Sequence, residues 1–158
     1  MVKPEDRLSQ LGIELPDAVP SIASYVRTVT HGDVIYVSGQ LPIVNGSLVC
    51  SGKVGSSVSI EEAVGAAKQC AVNAIAALKD EVGDLSLIYK IIKLTAFVAS
   101  EPTFVGQAQV VNGASDLFIE IFGDAGRHAR SAVGVASLPL DSPVEVEVIV
   151  AISQKIVD

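Results

Sequence analysis

The stretch from Ile60 to Val82 constrains the fold of this chain more than any other. Ile60, Ala63, Val64, Ala67, Ala71, Ala74, Ile75, Leu78 and Val82 recur at intervals of three and four, which draws one apolar stripe along a helix. Ser59 stands just before the stripe with Glu62 three residues on, the pairing of a capping box. Glu61 and Glu62 also suit the positive end of the helix dipole. Gly83 follows where a left-handed C-cap residue belongs. Much of the stripe is alanine, so the helix can lie close against whatever it covers.

The surface it needs is supplied by β-branched runs. Ser24 to Val29 and Val34 to Val37 flank His31-Gly32-Asp33 and read as a hairpin. Asn45-Gly46 is a second tight-turn signal, between Leu41-Pro42-Ile43 and Leu48-Val49, and Gly52, Gly55 and Ser56-Ser57 mark a loop. In Leu87 to Val98 the second half is expected to be a strand, ended by Glu101-Pro102. A second helix is expected over Phe104 to Phe122, weakened in its middle by Asn112-Gly113 and closed by Gly123. Ser131 to Ala136 and Val144 to Ile152 read as strands joined through Leu138 to Pro143. The last alternates Val144, Val146, Val148 and Val150 against Glu145, Glu147, Ile149 and Ala151. One sheet covered on one face by two helices is the natural assembly. Its other face would stay open in a monomer. Burying one aliphatic side chain contributes roughly 1.5–3 kcal/mol, so such a face favours a closed oligomer.

Composition agrees. The 158 residues suit one domain, and with 49% apolar residues a disordered chain is excluded. There is no Trp and only 4% aromatic residues, so the core must be built from Val, Ile, Leu and Ala. A net charge of −7, with basic residues scattered apart from Arg127, His128 and Arg130, argues against a nucleic-acid partner. No apolar run is long enough to span a bilayer, and Met1 to Gln10 lacks the apolar stretch of a signal peptide; a cytoplasmic location is expected. Cys50 and Cys70 have no metal spacing, nor do His31 and His128, so no metal is expected. Cys70 falls in the helical stripe and reads as a small buried hydrophobe.

Two residues carry candidate chemistry. Arg130 lies at the start of a strand beside a glycine-rich loop, and its planar fork can hold a carboxylate through two parallel hydrogen bonds. The alternative is a surface or interface salt bridge. Glu145 is a carboxylate in a mostly apolar strand, where burial would raise its pKa toward that of a useful base. The alternative is an interface acid paired with Arg or Lys. Glu147 shares its face and reads as a structural acid. His31 reads as a turn residue and His128 as a surface residue.

The pattern Arg130-Ser131-Ala132-Val133-Gly134-Val135-Ala136-Ser137-Leu138-Pro139, followed by Val144-Glu145-Val146-Glu147, resembles the signature of the RidA/YjgF family of reactive-intermediate deaminases, also labelled endoribonuclease L-PSP. Tyr25, Gly32, Val37-Ser38-Gly39-Gln40 with Pro42, and Asn112 extend the resemblance over about Ser24 to Ile152. It implies a single α/β (α+β) domain over residues 1–158, chorismate-mutase-like, with residues 1–20 as an N-terminal extension. It implies a mixed sheet with two helices on one face and a homotrimer with a central barrel and ligand clefts between subunits. It further implies cofactor-free hydrolysis of 2-imino and enamine acids to 2-keto acids and ammonia, with Arg130 clamping the carboxylate and Glu145 positioning water. Tyr25 would close the pocket from a neighbouring subunit. Ser38, Gly39 and Ala132 would supply wall and backbone contacts, and Asn112 would touch the ligand or tie the helix to the sheet; from the residues themselves a core or capping role stands at least equally for Tyr25, Ser38, Gly39 and Asn112. Two alternatives stand beside this: a non-catalytic trimer binding a keto or amino acid, and an endoribonuclease or translation inhibitor. Two positions depart from the pattern. Ala132 stands where better-known members often have Cys, which excludes thiol chemistry there, and Gly134 replaces a residue commonly larger or acidic. The Gly123 to Ala129 loop and the longer N-terminus mark a divergent branch.

Overall fold

The computed structural model describes residues 2–17 and 24–153. Residue 1 and residues 18–20 of the N-terminal extension expected over 1–20 therefore lie outside the described residues. Within that extension, α1 (Pro4–Gln10) forms where no element is expected from the sequence. Pro4 opens it, Glu5 and Asp6 occupy its first turn, and Leu8 is buried. Glu5 Oε1 anchors the helix to the body by accepting from Lys79 Nζ at 2.7 Å and from the Leu85 backbone N–H at 2.8 Å.

The body is a mixed sheet of five strands in the order β1-β2-β7-β5-β6. The strands are β1 (Thr28–His31), β2 (Val34–Gln40), β5 (Ile88–Ala99), β6 (Ala129–Val135) and β7 (Val144–Ile152). A small hairpin, β3 (Ile43–Val44) and β4 (Ser47–Leu48), stands apart from it. Asn45 and Gly46 turn that hairpin at positive φ, 51° and 82°, as the dipeptide predicts. All pairings in the main sheet are antiparallel except β5–β6, which is parallel. The parallel pair is joined through α3 (Gln107–Phe122).

The capped helix, α2, spans Ile60–Val82 as expected, and both bonds of the Ser59–Glu62 capping box are formed. Its alanines are buried against the sheet and α3, beside Ile35, Leu94, Val146 and Val148 in one core. Cys70 is fully buried in this core.

Three expectations change. First, β5 is a strand along its whole length rather than only in its second half. Register shifts against β7 at Ile88/Lys90 and Ile91/Lys93 space the buried residues Ile88, Ile91 and Leu94 by three, which hides the strand period. Second, α3 starts at Gln107 rather than Phe104, because Phe104 closes a turn onto the Glu101 carbonyl. Third, α3 runs unbroken through Asn112-Gly113, and the glycine has a packing role. A Cβ there would fall on the Val64 carbonyl oxygen, so the glycine lets α3 lie close against α2. Strand limits also move: β1 begins at Thr28 rather than Ser24, and β6 begins at Ala129.

Alternation leaves the second sheet face uncovered by the described residues. Tyr36 and Ile149 pair across it, as do Phe97 and Glu145. Val29, Tyr36 and Val133 are 52%, 48% and 43% exposed on this face. For a monomer this is a wide, exposed apolar surface.

Candidate functional site

Arg130 sits on the edge strand β6, opposite the fully buried Leu94 of β5, and so projects from the face that carries the helices. Its guanidinium is tied to α3 at three points. Nη1 donates to Asn112 Oδ1 at 2.9 Å and to Ser115 Oγ at 3.1 Å, and Nη2 donates to the Ala108 carbonyl at 3.0 Å. Of the five N–H donors of an arginine, this leaves Nε–H and one on Nη2 among the described residues. Those two can lie along one edge of the fork, in the spacing that a carboxylate accepts side-on. Ala132 and Gly134 follow on the same face. A side chain at Gly134 would meet Gln107 Nε2 at 2.8 Å, and a cleft of about 430 Å³ opens there between Ser100, Phe104 and Gln107.

Asn112 ties helix to sheet through Arg130. Ser115 does the same, and sequence reasoning missed it. Its signal was its spacing, three residues after Asn112 on the same helix face. His128 is not a surface residue as expected from sequence. It is half-buried, with Nδ1 2.6 Å from the Gly126 carbonyl oxygen and Nε2 3.0 Å from Ser115 Oγ.

A second group lies on the opposite sheet face. Glu145 pairs with Phe97 and alternates with the buried Val144 and Val146, which places it on the open side. Gly39, in the bulge between Val37 and Gln40, approaches its carboxylate so closely that a Cβ would fall on Glu145 Oε1. Burial pushes the Glu145 pKa up, and the neighbouring Glu147 charge pushes it further. Ser38 has a structural job here: its Oγ donates to the Val26 carbonyl at 2.7 Å and its N–H to the Arg27 carbonyl at 2.8 Å. Tyr25 is 50% exposed just before this strand pair.

One copy of the chain thus holds the candidate residues in two groups, two candidate half-sites. Arg130, Asn112 and Ala132 belong to the helix side, and Glu145 and Gly39 to the open side. A separate groove of about 870 Å³, between residues 12–17, the β3–β4 turn and α2, contains none of these residues. No group of His, Cys, Asp and Glu among the described residues has the arrangement of a metal site. No helix among them is long and apolar enough to cross a membrane.

The matches to known proteins run along nearly the whole chain. Protein TCP17 of Trypanosoma cruzi is 42% identical over 147 residues, covering 92% of each protein. The structure of Atu1372 from Agrobacterium tumefaciens, of unknown function, superposes with a TM-score of 0.89 at 47% identity, over 96% of this chain and 94% of that one. An endoribonuclease-named structure from Shewanella oneidensis gives 0.93 at 33% identity, over 96% and 100%. Escherichia coli TdcF with bound serine gives 0.64 at 26% identity, over 86% and 94%. The family model described as "YjgF/chorismate_mutase-like, putative endoribonuclease" matches residues 5–152, and with that span covered the chain belongs to the YjgF family.

Proposed function

We propose that this protein hydrolyses reactive 2-imino and enamine acids to 2-keto acids and ammonia, at clefts completed between copies of the chain in a homotrimer. The observation that carries the reading is Arg130, held at three points on α3 with Nε–H and one Nη2–H left to donate to a carboxylate. In the reaction, an enamine such as 2-aminoacrylate takes a proton on its terminal carbon and becomes the imine. Water adds to the C=N carbon, the nitrogen is protonated, ammonia leaves and the C=O bond forms. Nothing is oxidised or reduced, so water is the only co-reactant required. Arg130 would hold the carboxylate, and Glu145 of a second copy would take the proton of the attacking water. Catalysis of this kind is mainly positioning.

The need for a second copy follows from the two half-sites, which lie on opposite faces of one sheet. The open apolar face with Tyr36, Ile149, Phe97 and Val133 supports the same assembly, with that face turned into a central barrel. Serine bound to the relative TdcF supports a small amino-acid-like ligand. It also favours a second reading, a trimer that binds such a ligand without chemistry. An endoribonuclease role has less support, since the chain carries a net charge of −7 and few aromatic residues for stacking bases.

The test is release of ammonia and pyruvate from freshly generated 2-aminoacrylate. Acceleration over buffer is expected. A folded protein that gives none would end the hydrolase reading for that substrate and leave the binding trimer.

The pH dependence supplies a second check. A base must be ionised, so activity should fall as pH drops through the raised Glu145 pKa. Glu147→Gln removes a charge that raises this pKa, so the acid limb of the kcat/KM profile should move to lower pH. An unmoved limb would remove Glu145 from the role of base.

A further inference from the structure

Behind Arg130 runs a directed chain of hydrogen bonds that the hydrolytic reading does not use. The Gly126 carbonyl can only accept, so His128 Nδ1, 2.6 Å away, carries the proton. In the neutral ring Nε2 then presents a lone pair. Ser115 Oγ lies 3.0 Å from that nitrogen, so its hydroxyl donates to the ring. With its proton spent on His128, Ser115 Oγ offers its lone pairs outward, and Arg130 Nη1 donates to it at 3.1 Å. A serine within a helix would otherwise tend to donate to the carbonyl one turn back. The ring is itself fixed, edge-on to Phe118 at a centroid distance of 6.1 Å. Burial lowers its pKa; the Gly126 hydrogen bond opposes this, and the charges of Arg130 and Lys90 add to the lowering. The neutral, accepting form is therefore the one present near neutral pH.

We propose that His128 and Ser115 are positioning residues for the carboxylate clamp: the Gly126–His128–Ser115 chain sets the rotation of the Arg130 guanidinium and so aims its open edge at the ligand. The inference rests on the reading of Arg130 as that clamp. Asn112 and Ala108 hold two other points of the fork, so loss of the chain should loosen Arg130 rather than release it.

Two substitutions separate positioning from packing. His128→Phe keeps a ring against Phe118 and removes the acceptor. His128→Gln places a carbonyl oxygen near the lost Nε2. The readouts are the rotation rate of the Arg130 guanidinium by nitrogen-15 NMR, the dissociation constant for pyruvate, and kcat and KM for 2-aminoacrylate. His128→Phe should speed the rotation, weaken pyruvate binding and raise KM by about tenfold, and change kcat by no more than about twofold. His128→Gln should recover most of this. Ser115→Ala should match His128→Phe, and the double variant should be no worse than either. Unchanged rotation in His128→Phe, or equal losses in the Phe and Gln variants, would overturn the proposal. If wild type binds pyruvate without hydrolysing 2-aminoacrylate, the hydrolase reading fails while rotation and binding still decide this one. If wild type does not bind pyruvate, the clamp assignment falls and the proposal falls with it.

Discussion

Arg130→Ala is expected to lower kcat/KM for 2-aminoacrylate by at least about a hundredfold, the scale of losing one partner of a desolvated, hydrogen-bonded charge pair. The substitution removes both free donors of the fork together with the charge that pairs with the substrate carboxylate. It should leave the fold standing. The partners it abandons are Asn112 and Ser115 side chains and the Ala108 carbonyl, near the open edge of β6, and Ser115 keeps its bond to His128. Arg130→Lys should rescue little, because an ammonium is a point charge without the paired, planar donors. The assay is ammonia and keto-acid release at several substrate concentrations, with the melting temperature measured alongside. Near-wild-type turnover in Arg130→Ala would remove the clamp from the mechanism. A matching collapse of stability would reassign Arg130 as a strut between α3 and β6.

Gly113→Ala carries the largest expected effect on stability, and its sign sets two terms against each other. Helix propensity alone favours alanine over glycine by about 1 kcal/mol in a helix interior. Against this, the new Cβ would fall on the Val64 carbonyl oxygen, a backbone atom within α2 that cannot swing aside. Overpacking of this kind costs about 1–3 kcal/mol, occasionally more, and here it must push apart α2 and α3, which share a core. A net loss of up to about 2 kcal/mol is expected, near the upper end because the clash is with backbone, or a fall in melting temperature of up to roughly 4–8 °C for a domain of this size. Wild type and variant must be compared at one protomer concentration, since an oligomer gains stability by mass action. A rise in melting temperature would mean that α3 moves away freely and that the close approach is not required.

Local elements were legible where one period runs unbroken. The helix over Ile60–Val82 and the strand over Val144–Ile152 match their sequence patterns end to end, and the Ser59 cap and Asn45-Gly46 turn follow from side-chain and backbone preference alone. Legibility failed where tertiary contact overrides local preference. The bulges of β5 break its period because they serve its pairing with β7. Gly113 looks like no more than a weak point of its helix until α2 is beside it. His128 looks like a surface residue until Phe118 and Ser115 pack against it.

The candidate site divides along the same line. Arg130 and Glu145 were identifiable by residue type and by their place in a recurring signature. That they project from opposite sheet faces depends on register: Leu94 opposite Arg130 and Phe97 opposite Glu145. Sequence alone determined the elements with a clean period, their caps and turns, an aliphatic core and one sheet face in need of cover, because these depend on residues near one another in the chain. Tertiary structure alone decided strand order, the parallel β5–β6 pair, the α3 groups that Arg130 bonds and the placing of Arg130 and Glu145 on opposite sheet faces. Those depend on residues far apart in the chain, whose meeting is set by which surfaces the whole fold can bury together.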